Sequence, residues 1–443
     1  MDVALRTSGR FGRVIELLEA HTNKITYASM GFVLVAGSAL AVREGSELAY
    51  FDEREYLTMA DNFVEHHRYT VDGINPTAYK PPVWPLLLGF LRWLGFGVVG
   101  LRVANVVMLA ACVLLGSLLA RRIAGRTAGT LAAVAIAVFP VGLYASTTLY
   151  PQVLGAGLVL GALLLATAVP DSPRPGRLAV GIGACFGILI LTVPSLAVVF
   201  AGVLALLWFT ARSRAWPLII TAVVVAAVLP MAWAVRNTVQ MEAFVPIATV
   251  DGVQLLNGNN AKARPDTGPT VDTSEYEEYA DEQNMNEVDE TSYYREVALT
   301  WIRDNPGDAA SLYVGKLVQH FGYKDTLQTA TESSSSRDLI VAVTYYPLLL
   351  LVGLRFVLAR RYRLSPVEIV IVGWYIVNAF VTAVYFPRIR YRLSADIPLL
   401  VEAAVAVVVL LAWYLHRGDG ASAAEEPVLA SDEGAVRDNA PAR

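Results

Sequence analysis

Ten apolar runs set the plan of this chain, at 25–42, 101–120, 127–146, 150–169, 178–193, 195–210, 216–235, 339–358, 366–386 and 397–415. About 20 helical residues cross the hydrocarbon of a bilayer, so most of these runs predict a spanning helix. The stretch 178–210 is too long for one helix and tight for two. Pro194 divides it, because a proline ring disturbs the turn before it. Between the first two runs lie a charged amphipathic stretch, 52–67, and an apolar one, 82–97. The segment 236–338 is polar and acidic, with helical periodicity near 287–320. A short amphipathic helix over 11–20 precedes the first run. No clear cleavage site follows that run, so it reads as an anchor and not a removable signal.

Charge placement orients the spans. Arg121, Arg122 and Arg126 follow the second run, Arg174 and Arg177 precede the fifth, and Arg212 and Arg214 follow the sixth. Arg355, Arg360, Arg361 and Arg363 follow the eighth run, and Arg417 the last. With ten spans all of these fall on the N-terminal side, as the positive-inside rule asks. The expected organisation is a cytoplasmic segment 1–24, a first span 25–42 and an external loop 43–100 with amphipathic helices. A bundle of about six helices over 101–235, a large external loop 236–338 and three spans within 339–415 follow. A disordered tail, 416–443, closes the chain, with both termini cytoplasmic.

Composition agrees. At 55% hydrophobic and 17% charged, with a mean hydropathy of +0.48, the chain has too few charges to cover a soluble protein of 443 residues. A net charge of -4 gives no long-range pull on nucleic acid. Cys112 and Cys185 both sit in apolar runs, which excludes a disulfide framework and a cysteine zinc site. The fold class is an all-α polytopic membrane protein.

Candidate chemistry concentrates after the first span. Asp52 and Glu53 stand there at headgroup depth, with Tyr56 and Ala60 following, and Lys80-Pro81-Pro82 opens the apolar stretch. A carboxylate facing a lysine could deprotonate an acceptor while the ammonium holds an anionic leaving group. An ordinary charged juxtamembrane loop is the competing reading.

These residues resemble the first external loop of the GT-C membrane glycosyltransferases, in the bacterial branch related to protein O-mannosyltransferases and aminoarabinose (lipid A) transferases. Three further signatures follow in family order over about 25–415. They are Arg236-Asn237 with Phe244 to Thr249 and Gly258-Asn259-Asn260, then Asn286-Glu287 with Tyr294-Arg295-Glu296 and Asn305-Pro306-Gly307 up to Lys316, and lastly Arg390-Tyr391-Arg392 before Pro398. The resemblance implies transfer of a sugar from a polyprenyl-phosphate donor to a cell-envelope glycan, lipid or protein at the outer face of the cytoplasmic membrane, with inversion. It implies Asp52 as the general base, Glu53 beside it in the catalytic loop, and Lys80, Arg236, Arg390 and Arg392 as donor-phosphate ligands. Tyr56, Asn237 and Asn259 are implied substrate contacts.

One departure bears on cofactors. Relatives that bind a divalent metal carry an acid in the next external turn, which here reads Tyr144 to Gln152 without one. No cofactor and no metal ligand set are therefore expected, and Glu65-His66-His67 reads as the watery end of an amphipathic helix. A transporter or flippase for lipid-linked sugars is the alternative. It is disfavoured because the chain shows no internal repeat and its span interiors are nearly free of charge, with Glu368 and Glu402 near span ends. A silent scaffold is a third reading, against which the Asp52, Lys80, Arg236, Arg390 and Arg392 set argues by resemblance.

Overall fold

The computed structural model describes residues 10–325 and 335–422, with side chains over 12–325 and 335–415. Regular structure among them is helical throughout. Six stretches are long and apolar enough to cross a membrane: Thr22–Glu44, Val98–Val138, Pro194–Met241, Ser335–Arg360, Pro366–Val384 and Ile389–Leu415. Gln152–Ala168 and Pro175–Ile190 are shorter apolar helices. The chain is a multi-pass membrane protein.

Two of the long stretches double back. In Val98–Val138 helical geometry breaks at Ala124 and Gly125, the latter at φ 85°, where a side chain would be strained. Beyond the break Gly129 lies against Ser117 and Arg121, and Gly116 against Ile136, so the two limbs form an antiparallel hairpin. Pro194–Met241 turns at Arg212, where Trp208 meets Trp216 at 5.3 Å between ring centroids. Pro194 does separate two helices, since Pro175–Ile190 ends before it and Phe186 packs on Phe200 at 4.2 Å. Most of the ten apolar runs thus fall on a helical limb of their own, while 127–146 covers the end of Val98–Val138 and the separate short helix Pro140–Ser146.

Small residues let these limbs approach. Gly37 faces Val106, Gly183 faces Ala222 and Val225, and Gly187 faces Ala226, the close contacts that stand in for a hydrophobic drive between helices in lipid. Gln152–Ala168 and Ile389–Leu415 lie in the middle, with Val159, Leu160, Val401 and Val405 fully buried.

The bundle has two chemically distinct ends. At one, Arg121 donates to Asn23 (2.8 Å), Arg122 pairs with Asp171 (3.6 Å) and Thr127 donates to Glu19 (3.0 Å). The other end carries Phe51–His66, Val83–Trp93, Asp251–Gly258, Glu287–Asp304 and Pro306–His320. The last helix runs on to Ser422, into the segment expected to be disordered, and 423–443 lie outside the described residues.

The helices also hold more charge than the sequence suggested. Arg355 pairs with Glu368 at 2.7 Å, close to Glu402, and Arg392 pairs with Asp396 at 3.3 Å, all fully or almost fully buried. Each cation sits with a carboxylate because an unpaired charge there would be costly.

Candidate active site

The site forms where Phe51–His66 meets the start of the last helix. Asp52 and Glu53 occupy the first turn of Phe51–His66, where the partial positive charge of a helix N-terminus favours carboxylates. Residues three and four apart share a helix face. Asp52, Glu55 and Tyr56 therefore point the same way, towards Lys80. The Lys80 ammonium lies 3.1 Å from Asp52 Oδ1 and 2.9 Å from Glu55 Oε2, above the rings of Tyr79 (4.8 Å to the centroid) and Tyr56 (5.5 Å). From the far side Arg390 Nη2 donates to Asp52 Oδ2 at 2.5 Å and to the Tyr391 hydroxyl at 3.1 Å, and its guanidinium lies over Tyr150 at 4.4 Å.

Backbone ties fix these groups. Thr249 and Val250 donate their N–H groups to the carbonyls of Ala78 and Tyr79, at 3.0 and 3.2 Å. Glu287 accepts from Thr77 Oγ1 (2.6 Å), Ala78 N (2.9 Å) and Thr249 Oγ1 (2.7 Å), so one carboxylate joins the two loops just before Lys80. Asp325 accepts the Ile389 N–H and fixes the start of the helix that carries Arg390.

Electrostatics follow from this enclosure. Burial alone would raise the Asp52 pKa, but Arg390 and Lys80 outweigh it and hold the carboxyl well below the usual range. Burial would lower that of Lys80; Asp52 and the neighbouring tyrosines and Glu55 reverse this and keep it charged. Burial pushes Tyr79 up to about 12 and raises Tyr56 further, so both remain neutral. The result is a carboxylate 23% exposed at its side chain, held between two cations and walled by tyrosines.

Several residues expected at the site are elsewhere. Glu53 turns away from Asp52's partners: its oxygens accept the N–H groups of Tyr50 (3.2 Å) and Leu149 (2.9 Å), and it is 1% exposed. Its role is to cap the helix and hold the loop bearing Tyr150. Arg236 donates to the carbonyls of Thr77 (2.6 Å) and Tyr69 (3.3 Å) and stacks on Trp233 (4.8 Å), so it braces the external loop. Arg392 lies two residues from Arg390, about 200° round the helix. It is buried on His320 O, Gly322 O, Asp396 and the Tyr345 ring. Asn237 donates to Val245 O and Ile247 O, and Asn259 to Leu255 O and Val384 O, which makes both loop fasteners. Lys316 bridges Gly258 O, Asn259 Oδ1 and Tyr385 O with no carboxylate partner among the described residues, and burial brings its pKa down to about 8.

Asp52, Tyr56, Lys80 and Arg390 are thus brought together, whereas Glu53, Arg236, Arg392, Asn237 and Asn259 act on the frame. Glu55 and Tyr150 join the site unforeseen. The spacing from Asp52 could have revealed Glu55; nothing local marks Tyr150 out among the aromatics.

No family model matches the sequence, and no curated protein does. Solved structures do resemble it. The oligosaccharyltransferase AglB of Archaeoglobus fulgidus, in complex with an inhibitory peptide and a dolichol-phosphate, is 14% identical at a TM-score of 0.50 over 90% of this chain and 52% of its own. The apo form of the Archaeoglobus fulgidus oligosaccharyltransferase gives 13% and 0.52 over the same shares. ArnT from Cupriavidus metallidurans bound to undecaprenyl phosphate is 15% identical at 0.42, over 90% of this chain and 79% of its own. This chain spans about half the length of the archaeal oligosaccharyltransferase. These likenesses are of fold: the chain shares the helical fold, named GT-C, of the archaeal oligosaccharyltransferase.

Proposed function

We propose that the protein is an inverting membrane glycosyltransferase, moving a sugar from a polyprenyl-phosphate donor to a cell-envelope acceptor at the outer face of the cytoplasmic membrane. The observation that carries the reading is Asp52 gripped by Lys80 at 3.1 Å and Arg390 at 2.5 Å. A base and two cations on one spot are what a nucleophilic displacement with a phosphate leaving group needs. The archaeal oligosaccharyltransferase in complex with a dolichol-phosphate has the same type of fold, which supports a lipid-phosphate donor.

In this mechanism the donor phosphate docks on Lys80 and Arg390, which turn towards it from Asp52. Loss of those contacts raises the basicity of the carboxylate. Asp52 takes the proton of the acceptor nucleophile, whose oxygen bonds to the anomeric carbon from the side opposite the phosphate. The bond from that carbon to the phosphate oxygen breaks, and its electron pair leaves with the lipid phosphate. Charge develops on that oxygen in the transition state, where fixed cations contribute most. In the proposed topology the chain crosses the membrane ten times with both termini cytoplasmic, so that this chemistry faces outward; the arginine clusters flanking the apolar runs support that orientation. The two cations supply the charge that a divalent metal would, so the reaction is proposed to be metal-independent.

The test is binding of a radiolabelled polyprenyl-phosphate sugar to detergent-solubilised protein. Lys80→Ala and Arg390→Ala should each weaken binding about tenfold to a hundredfold, the loss of one charge-assisted contact of roughly 1.5–3 kcal/mol. Unchanged binding in both folded variants refutes the phosphate clamp.

A further inference from the structure

The site holds more negative charge than the mechanism uses. Lys80 and Arg390 already face two carboxylates, Asp52 and Glu55. If all four groups are ionised their charges cancel, and an incoming phosphate meets no net attraction. Asp52 contacts both cations, whereas Glu55 contacts Lys80 alone and its side chain is only 14% exposed. When Lys80 turns to a phosphate, Glu55 loses its cation and is left enclosed beside two anions.

We propose that Glu55 makes anion binding here proton-linked: it takes up a proton from water as a phosphate-bearing lipid docks on Lys80 and Arg390. This rests on the phosphate-site reading above. Protonation returns the cluster to a net positive charge and spares the enclosed carboxylate its desolvation. It also leaves Asp52 as the ionised base. The groups facing Glu55 are few. Its own helix offers Asp52 and Tyr56, the loop before Val83–Trp93 offers Tyr79 and Lys80, and Arg390, Tyr391 and Tyr150 lie beyond Asp52. Glu290, on Glu287–Asp304, acts with Glu55 on Tyr79. Among the described residues the only cation paired with Glu55 is thus the one the ligand recruits. Burial already holds the Glu55 pKa above its ordinary value before any ligand arrives.

The experiment is isothermal titration of the full chain with farnesyl methyl phosphate, a phosphodiester whose single charge does not titrate near neutrality. Running it in buffers of different ionisation enthalpy counts the protons taken up. Wild type should take up a substantial fraction of one proton per ligand at pH 7. Its affinity should fall as pH rises, by at most about tenfold per unit for one linked proton. Glu55→Gln should bind with almost no proton uptake and a flat pH profile, and Glu55→Asp should restore uptake. Tight binding by wild type without proton uptake overturns the inference and leaves the phosphate site standing. Equal uptake in wild type and Glu55→Gln also overturns it. Failure of the wild type to bind overturns the phosphate site and this inference together.

Discussion

Replacing Asp52 by Asn separates what this side chain does for the fold from what it does for the reaction. The carboxylate accepts from Lys80 Nζ at 3.1 Å and from Arg390 Nη2 at 2.5 Å. An amide has one oxygen, so whichever way it turns, an NH2 group faces one of the two cations. The side chain is 23% exposed, and water relieves part of that conflict. The stability cost should be about 1–2 kcal/mol, between a surface pair and a buried one. Loss of a general base typically lowers the rate about 10²–10⁴-fold, or roughly 3–5 kcal/mol of barrier. The kinetic effect should therefore exceed the structural one. Thermal unfolding measures the first. The second is read by following radiolabel from a panel of polyprenyl-phosphate sugars into the lipid-extracted residue of native membranes, which supply the acceptor. Asp52→Asn should insert and unfold nearly as wild type while turnover drops at least about a hundredfold. Asp52→Glu should recover little, because one methylene moves the carboxylate by about an ångström off the line of attack. Turnover within tenfold of wild type in folded Asp52→Asn would refute the assignment of the base.

The neighbouring acid should behave in the opposite sense: Glu53→Gln keeps one acceptor for the Tyr50 and Leu149 N–H groups. It should lose about 1–2 kcal/mol of stability in a melt while its turnover falls less than that of Asp52→Asn; a dead but fully stable variant would reverse the two roles. In a cysteine-free background, single cysteines at the exposed positions 65 and 278 should react with an impermeant reagent from outside, and those at 126, 213 and 361 should not. Labelling at 361 would overturn the ten-crossing topology. Transfer should survive EDTA, and activity lost on chelation and regained with a divalent ion would show a metal requirement.

Much of this protein is written locally. Spans follow from apolar runs because a bilayer rewards length and hydropathy residue by residue, and Pro194 and the flanking arginines mark the turns without knowledge of the partners. Helical periodicity even holds part of the site. It puts Glu55 with Asp52 and sets Arg392 apart from Arg390, although the linear motif groups Asp52 with Glu53 and Arg390 with Arg392. The break at Gly125, which folds one long helical stretch into a hairpin, is legible too, because Gly125 lies among Arg121, Arg122 and Arg126 between two apolar runs. What the chain alone could not decide is which buried polar groups meet across it. Lys80 and Arg390 reach one carboxylate from positions 28 and 338 residues away. Arg236, of the same residue type and also in a motif, spends its donors on the carbonyls of Tyr69 and Thr77. An arginine serves a phosphate or a backbone equally well. Its use is settled by which unsatisfied acceptor the packed helices leave within reach, and only the tertiary structure fixes that.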